Sequence, residues 1–253
     1  MEALAPPERI IPPDNVGLLA GSRHQEIHKI LVALDLDDES LTAALSGGYG
    51  MVITHHPAIY RPLFGLTEEK AVTRRLTAMI RAGICLYAAH TNLDVAEGGT
   101  NDIVFERLGL MDKRPLVDKE SGLPIGRVGR LPAPSVLDEF AAFVKKRLDA
   151  KGVRFVGDLY KPLENVGLCT GSGMGYLGLA QAAGCDVYLT GDVKYHDAQA
   201  ARDMGLAVVD AGHFATECWM AEAVCQYLRR EAENDGVEVE VGAFRGKDVF
   251  RWG

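Results

Sequence analysis

The sequence predicts an α/β fold of two lobes, with mostly parallel sheets flanked by helices. Apolar runs of strand length alternate with amphipathic segments of helix length, which is the rhythm of βαβ units. The apolar runs show little alternation of polarity, as is typical of strands buried on both faces of a parallel sheet. A stretch rich in Gly, Pro and charge then predicts a connector, residues 113–134, between the two lobes.

The first lobe is predicted to span residues 1–112, with three strands and three helices. The strand segments, rich in Val, Ile, Leu and Ala, are ILVALDL (30–36), MVIT (51–54) and ICLYAA (84–89). The helical segments are DESLTAAL (38–45), KAVTRRLTAMIRAG (70–83) and GTNDIVFERLGL (99–110). The second helix reaches a glycine, a common C-terminal cap, and the third opens with a Thr-Asn capping signal.

The second lobe is predicted to span residues 135–253, with no inserted domain. Its strand segments are VRFVG (153–157), NVGLC (165–169), DVYLT (186–190), LAVVDA (206–211) and VEVEVGAF (237–244). Its helical segments are VLDEFAAFVKKRL (136–148), the end of TGSGMGYLGLAQAAG (170–184), HDAQAARDMG (196–205) and TECWMAEAVCQYLRREA (216–232). Both lobes therefore follow the same alternation of strand and helix.

Charge and composition exclude several classes of protein. The 253-residue chain has a formal net charge of -8, which provides no basic footprint for duplex nucleic acid. The sequence shows neither a signal-peptide pattern nor the ~18 apolar residues of a membrane span. The five cysteines show no CxxC spacing, which predicts buried, reduced thiols. We therefore expect a cytoplasmic protein with no membrane or nucleic-acid partner.

Histidines cluster just after the predicted strands, where open α/β sheets bind their ligands. Five of the seven occupy such positions: His55, His56, His90, His196 and His213. A carboxylate follows two of them by four residues, Asp94 after His90 and Glu217 after His213. A single histidine at a strand end is more often a hydrogen-bonded loop residue than a ligand. The adjacent pair and the repeated spacing favour metal binding, and by spacing alone His90 is a candidate ligand.

A ligand set of three histidines, one aspartate and one glutamate has five members, more than the three or four that a single zinc site needs. Such a set suits two metal ions about 3.5–4 Å apart, with one carboxylate able to bridge. Adjacent residues in an extended chain project in opposite directions, so His55 and His56 can each serve a different ion. No cysteine joins the set. The donors therefore favour Zn, Fe or Mn over a thiolate-bound structural zinc.

The glycine-rich loop TGSGMG (170–175) lies between a predicted strand and helix. Its residues Gly171, Ser172 and Gly173 are candidate substrate contacts, because backbone N–H groups at a helix start can approach an anion. The alternative is a tight strand-to-helix turn with no ligand. The loop does not match the GxGxxG fingerprint, since Tyr176 occupies the third position.

A second polar block, GDVKYHD (191–197), follows the next predicted strand. Asp192 and Lys194 are candidate substrate contacts, and Lys194 can bind a phosphate or carboxylate. His196 is a candidate proton carrier. The alternative is a helix N-terminus with a solvated lysine.

Five sequence blocks resemble those of the Nif-three-like dinuclear-metal family, whose members are often labelled GTP cyclohydrolase I type 2 homologues. The blocks are DNVGLL (14–19), ITHHPAIYRPL (53–63), YAAHTNLDVAEGGTND (87–102), TGDVKYHDA (190–198) and DAGHFATE (210–217). They occur in the family's order from near the N-terminus to the last long helix. The short segment between the lobes identifies the form without an inserted domain.

The resemblance implies two divalent metal ions per subunit, in the cleft between its two lobes. It also implies a toroidal homohexamer. The implied ligands are His55, His56, Asp94, His213 and Glu217. Glu217 would bridge, with His56 and Asp94 on one ion and His55 and His213 on the other. By the same pattern His90 supports the ligands without binding metal, in contrast to the expectation from spacing.

The resemblance and the donor set together predict a metal-dependent hydrolase acting on a small molecule. The substrate would be a nucleotide ring, as in a GTP cyclohydrolase, or a compound with another C–N or phosphoester bond. His90 or His196 would move protons in the reaction. The alternative hypothesis is a metal-binding, metal-delivery or regulatory protein without turnover of its own.

Overall fold

The computed structural model describes residues 1–251 and confirms the α/β fold class. The described residues form eleven strands: β1 Gly17–Ala20, β2 Lys29–Ala33, β3 Met51–Thr54, β4 Cys85–Ala88, β5 Met111–Val117, β6 Pro124–Ser135, β7 Arg154–Val156, β8 Leu163–Leu168, β9 Val187–Thr190, β10 Ala207–Asp210 and β11 Glu240–Phe244. The α-helices are α1 Asp38–Ser46, α2 Ala71–Arg81, α3 Thr91–Asp94, α4 Thr100–Arg107, α5 Leu137–Arg147, α6 Leu177–Ala182, α7 Tyr195–Asp203, α8 His213–Glu217 and α9 Met220–Asp235. A short 3₁₀ helix, Met174–Tyr176, precedes α6.

The chain forms two compact units. The first contains Met1–Leu93 and Met220–Gly246, and the second contains Asp94–Trp219 together with the segment that begins at Lys247. The sheet of the first unit has the strand order β1-β4-β3-β2-β11. Its pairings are parallel except that of β1 with β4. The parallel pairing brings the carboxyl ends of β2, β3 and β4 to one edge of the sheet.

Helices α1 and α2 cover the apolar core of the first unit. Helix α1 begins with a capping box: Asp37 accepts a hydrogen bond from the Ser40 N–H at 2.7 Å, and Ser40 Oγ accepts one from the Asp37 N–H at 2.9 Å. In α2, Leu76 and Met79 are buried in the same cluster as Val52 of β3. The core therefore supports the sheet whose edge carries the strand-end histidines.

The sheet of the second unit is mixed, with the strand order β5-β6-β8-β9-β10-β7. Its three central strands, β8, β9 and β10, are parallel, and the flanking pairings are antiparallel. The predicted connector, residues 113–134, lies largely in β5 and β6 of this sheet. The prolines are compatible with strands here, because Pro115 lies on the edge strand β5, Pro124 is the first residue of β6, and Pro132 and Pro134 lie where the pairing of β6 with β8 is irregular.

The units also differ from the predicted lobes in which helices they contain. Helix α9 and strand β11 belong to the first unit, where β11 pairs with β2 and Cys225 Sγ lies 3.2 Å from the Val241 carbonyl oxygen. Helix α4 belongs to the second unit, and its Phe105 ring packs directly against Gly129 of β6. The helix predicted over 216–232 is interrupted, so that α8 lies in the second unit and α9 in the first.

The second unit has its own apolar core, formed between α5 and the sheet. Phe140 and Val144 of α5 are buried with Leu163 of β8 and Val187 of β9. The five cysteines are buried, as the sequence predicted. Within residues 1–251, none of the helices combines the length and the apolar composition needed to cross a membrane.

Candidate metal centre

Three histidines meet at the carboxyl edge of the first sheet. His55 and His56 follow β3, and His90 follows the neighbouring parallel strand β4. The His55 ring centroid lies 5.1 Å from that of His56 and 5.2 Å from that of His90, and the His56–His90 distance is 5.7 Å. One nitrogen of each ring lies within 4.8 Å of the others, a spacing at which the three could hold one metal ion.

The orientation of each imidazole is set by an oxygen acceptor at Nδ1. His55 Nδ1 lies 2.8 Å from the Ala89 carbonyl oxygen, and His56 Nδ1 lies 2.8 Å from Asp35 Oδ1. A carbonyl oxygen can only accept, so His55 Nδ1 carries the proton and Nε2 is the basic nitrogen. Hydrogen bonds of this kind orient histidines that bind metals and raise their basicity.

His90 is held in the same way by Asp14, at 2.9 Å from Nδ1 to Oδ1. The Asp14 side chain is buried and also accepts a hydrogen bond from the Thr91 backbone N–H at 3.1 Å. Burial by itself would raise the pKa of Asp14, but the hydrogen bonds from His90 and Thr91 outweigh it and lower the pKa to about 2. Asp14 therefore remains a carboxylate at neutral pH and fixes the His90 ring.

The sequence analysis did not identify Asp14 or Asp35 as functional residues. Asp14 opens the block DNVGLL, and its distance of 76 residues from His90 concealed the contact. Asp35 follows β2, so the strand-end rule that selected the histidines could also have selected this carboxylate.

His213 and Glu217 lie together in the second unit. Both belong to α8, which begins after β10, and residues four apart in a helix share one face. His213 Nε2 lies 2.9 Å from Glu217 Oε2, and His213 Nδ1 lies 2.7 Å from Asp192 Oδ2. Asp192 is therefore placed to orient His213, and its role as a substrate contact stays a prediction.

The charge balance around Glu217 fits a bound cation. Its side chain is only 4% exposed, and a buried carboxylate is stabilised by a positively charged partner, such as a protonated imidazole or a metal ion. Asp192 accepts a hydrogen bond from His213 Nδ1, so His213 presents Nε2 toward Glu217. This nitrogen and the Glu217 carboxylate are two ligand atoms that could bind one divalent ion. Imidazole and carboxylate together are donors that Zn, Fe and Mn accept.

The glycine-rich loop approaches this carboxylate closely. Gly171 has φ +63°, and a Cβ atom built there would lie 2.2 Å from Glu217 Oε1 and 3.4 Å from His213 Cε1. The Gly171 N–H donates to Thr216 Oγ1 at 3.0 Å, and the Gly173 N–H donates to Thr190 Oγ1 at 2.9 Å. These two N–H groups were predicted to bind an anion, but they are used within the protein. The loop instead leaves room for Glu217.

Asp94 is positioned by the residues that begin α4. Asp94 Oδ1 accepts a hydrogen bond from Thr100 Oγ1, and the Asn101 side-chain amide donates to the Asp94 carbonyl oxygen at 2.9 Å. Thr100 Oγ1 also lies 3.0 Å from Thr170 Oγ1, beside the glycine-rich loop. The block EGGTND therefore supports the backbone and side chain of Asp94.

The remaining candidates face solvent. His196 is exposed in the first turn of α7, where its Nδ1 lies 2.9 Å from Gln199 Oε1 and its ring contacts Tyr195. Lys194 is exposed at the residue before α7, and Ser172 is exposed in the glycine-rich loop. Their contributions to catalysis or substrate binding stay predictions.

The Gly171→Ala substitution is expected to weaken metal binding by about tenfold or more. The methyl group would displace the Glu217 carboxylate, and alanine at this positive φ costs ~1–2 kcal/mol in addition. Competition with a chelator measures the affinity, and thermal unfolding measures the accompanying loss of stability. Gly184→Ala is the matched control, since this exposed glycine also has a positive φ (+76°) but has no atom within 4 Å of the added Cβ. Equal affinity in both variants would argue against the role given to Gly171.

The fold and the site define an α/β protein with candidate metal-binding residues, which are strand-end histidines anchored at Nδ1 and a buried glutamate. The chain belongs to the Duf34/NIF3 (NGG1p interacting factor 3) family, which it matches over residues 1–248. A relative from Clostridium perfringens, named GTP cyclohydrolase 1 type 2 homolog, is 36% identical over 244 residues, which are 94% of this chain and 91% of that protein.

Solved structures agree with this membership. The Bacillus cereus protein related to NIF3 superposes with a TM-score of 0.94 at 25% identity, over 100% of this chain and 96% of that chain. Reduced HcgD from Methanocaldococcus jannaschii superposes with a TM-score of 0.78 at 30% identity, over 95% of this chain and 92% of that chain. These similarities extend over nearly the whole chain.

Proposed function

We propose that this protein is a hydrolase dependent on two divalent metal ions, whose ligands are His55, His56, Asp94, His213 and Glu217. The observation that carries the proposal is the anchoring of the three histidines in this ligand set, each of which has Nδ1 within 2.8 Å of an oxygen acceptor. This is the arrangement in which a histidine presents Nε2 to a metal. Glu217, buried beside His213, supplies a carboxylate ligand.

The reaction we propose is hydrolysis of a small molecule. Two divalent ions in such a site would lower the pKa of a water molecule and polarise a substrate oxygen. The name of the Clostridium perfringens relative favours a nucleotide ring as the substrate, with another C–N or phosphoester bond as the wider class. Lys194 and Ser172, both exposed, are the residues proposed to contact an anionic group of the substrate.

His90 is proposed to carry protons in this reaction rather than to bind metal. Its Nδ1 is held by a carboxylate that stays charged at neutral pH, so the imidazole has a fixed orientation. A positioned imidazole is the commonest proton carrier in enzymes. His196 is a second candidate, because its Nδ1 is held by Gln199 Oε1 at 2.9 Å. Comparison of the pH profiles of His90→Gln and His196→Gln would separate the two.

Purified protein loaded with Zn²⁺, Fe²⁺ or Mn²⁺ is expected to contain about two ions per chain, as a dinuclear site requires. His55→Ala and His56→Ala should each reduce this content, because each imidazole serves a different ion. His28→Ala is the control, since His28 is an exposed histidine outside the cluster. Elemental analysis gives the ratio. A wild-type ratio of one or none, or unchanged content in both variants, would contradict the proposal.

A turnover assay distinguishes the proposed hydrolase from the alternative, a metal-delivery or regulatory protein. The metal-loaded protein is incubated with nucleotides, cyclic amides and phosphodiesters, and products are followed by mass spectrometry. Formation of a hydrolysed product supports the hydrolase. Rapid transfer of the ions to an acceptor apoprotein without any product would support delivery. The homohexamer implied by the family resemblance is part of the same proposal and is measured by sedimentation.

A further inference from the structure

The loop after β9 holds a non-glycine residue in the left-handed region. Asp192 has φ +55°, a conformation that Asp adopts more readily than most residues but that still needs support from its surroundings. In this conformation its Oδ2 reaches His213 Nδ1 at 2.7 Å. Backbone outliers of this kind are frequent at functional sites, where neighbouring groups hold them in place.

Asp210, the last residue of β10, joins this loop to the loop that precedes α8. Asp210 Oδ2 accepts a hydrogen bond from the Val193 N–H at 3.2 Å, and Asp210 Oδ1 accepts one from the Gly212 N–H at 3.0 Å. One loop carries Asp192 and the other leads directly into His213. A single buried carboxylate therefore holds both partners of the Asp192–His213 hydrogen bond through their backbones.

Arg154 completes this arrangement from the neighbouring strand. Strand β7 pairs with β10 so that Arg154 lies opposite Asp210, and the Arg154 guanidinium donates to Asp210 Oδ2. The same Nη2 donates to the Val193 carbonyl oxygen at 2.9 Å. Val193, the residue after Asp192, is thus held at its N–H by Asp210 and at its carbonyl by Arg154.

We propose that Arg154 and Asp210 are positioning residues for the metal centre, which lock the loop of Asp192 so that Asp192 can orient His213. The proposal rests on the proposed function in one respect, that His213 binds a metal ion. Neither residue is among the ligands, and the sequence analysis did not single out either. The effect of Arg154 on metal binding should pass chiefly through Asp192, because Arg154 contacts the neighbouring Val193 carbonyl directly and reaches Gly212 only through Asp210.

Arg154→Ala is expected to weaken Co²⁺ binding by about tenfold, the lower end of the loss seen when a histidine ligand loses its hydrogen-bond partner. The Arg154 side chain is 65% exposed, so its removal leaves no cavity, but it takes the counter-charge from the buried Asp210. Thermal unfolding without metal therefore accompanies the affinity measurement and shows whether the variant is folded. Arg130→Ala is a closely matched control. Arg130 pairs with Asp112, which also has a positive φ (+58°), in the same sheet but without a contact that leads to His213.

A double-mutant cycle tests whether Arg154 acts through Asp192. Asp192→Gly removes the carboxylate and suits the positive φ at this position. In the Asp192→Gly background, Arg154→Ala should cause a much smaller further loss of Co²⁺ affinity than in wild type, because the carboxylate that it positions is absent. Independent losses that add, or an Arg154→Ala protein with wild-type affinity, would overturn the proposal.

A measurement without metal separates this proposal from the proposed function. In the metal-free protein, the proton on His213 Nδ1 should give a slowly exchanging NMR signal, assigned by its absence in His213→Gln. The signal should broaden or exchange faster in Arg154→Ala and stay unchanged in Arg130→Ala. If wild-type protein bound no metal, the proposed function would fail, and this signal would still decide whether Arg154 fixes the Asp192–His213 hydrogen bond.

Discussion

Glu217→Gln is expected to abolish binding of at least one of the two metal ions that we propose, together with the proposed metal-dependent turnover. Glutamine keeps the size of the side chain but removes the negative charge that the buried site presents beside His213. The loss of affinity should exceed the roughly 10–100-fold that removal of a ligand's hydrogen-bond partner causes, because a proposed ligand is itself changed. Elemental analysis and chelator competition measure the result.

The control for this substitution is Glu222→Gln, which makes the same chemical change at an exposed position of α9. Thermal unfolding of both variants without metal shows whether the fold is kept. Since Glu217 is a buried carboxylate, its neutralisation should not destabilise the metal-free protein, and the loss should appear only in metal binding. Full metal content and activity in Glu217→Gln would remove Glu217 from the ligand set.

Asp102→Asn is expected to destabilise the protein by about 3–5 kcal/mol, the range for breaking a buried ion pair from one side. Asp102 and Arg127 are both nearly inaccessible to solvent, and Arg127 Nε donates to Asp102 Oδ1. The second carboxylate oxygen accepts from the Gly98 N–H at 2.7 Å and lies 3.2 Å from Lys113 Nζ. Asparagine would leave the Arg127 charge buried without its counter-charge. Urea unfolding at neutral pH measures the change.

The effect of Asp102→Asn should depend on pH. Burial acts to raise the pKa of Asp102, but the hydrogen bonds from Gly98 and Arg127 outweigh it and hold the pKa below its usual value. A carboxylate with a lowered pKa in the folded state stabilises the protein above its unfolded pKa, near 4, and this contribution is lost as the pH falls through the folded value. The stability difference between wild type and variant should therefore shrink below about pH 4.

The control for the stability experiment is Asp203→Asn, since Asp203 is an exposed carboxylate at the end of α7. Surface substitutions of this kind change stability by ~0.5 kcal/mol or less. A similar small change in Asp102→Asn, or a difference that does not vary with pH, would show that the buried pair contributes little.

Local pattern in the sequence was sufficient for the elements that build the sheet edges. The strands MVIT and DVYLT were predicted to within one residue, because continuous apolar runs between turn signals are read without tertiary information. The strand-end rule then selected His55, His56 and His213, and the blocks around them identified the family. These features depend on residues close together in the chain.

Other features depended on contacts between distant residues, and only the tertiary structure decided them. The hydrogen bond of Asp14 to His90 joins residues 76 apart, and that of Arg154 to Asp210 joins residues 56 apart. Strand β11 joins the first sheet beside β2, which no local pattern indicates. Periodicity tells which face of an element is buried, but not which element covers it or in which register. The groups that orient the histidines were therefore invisible in the sequence, whereas the histidines themselves were not.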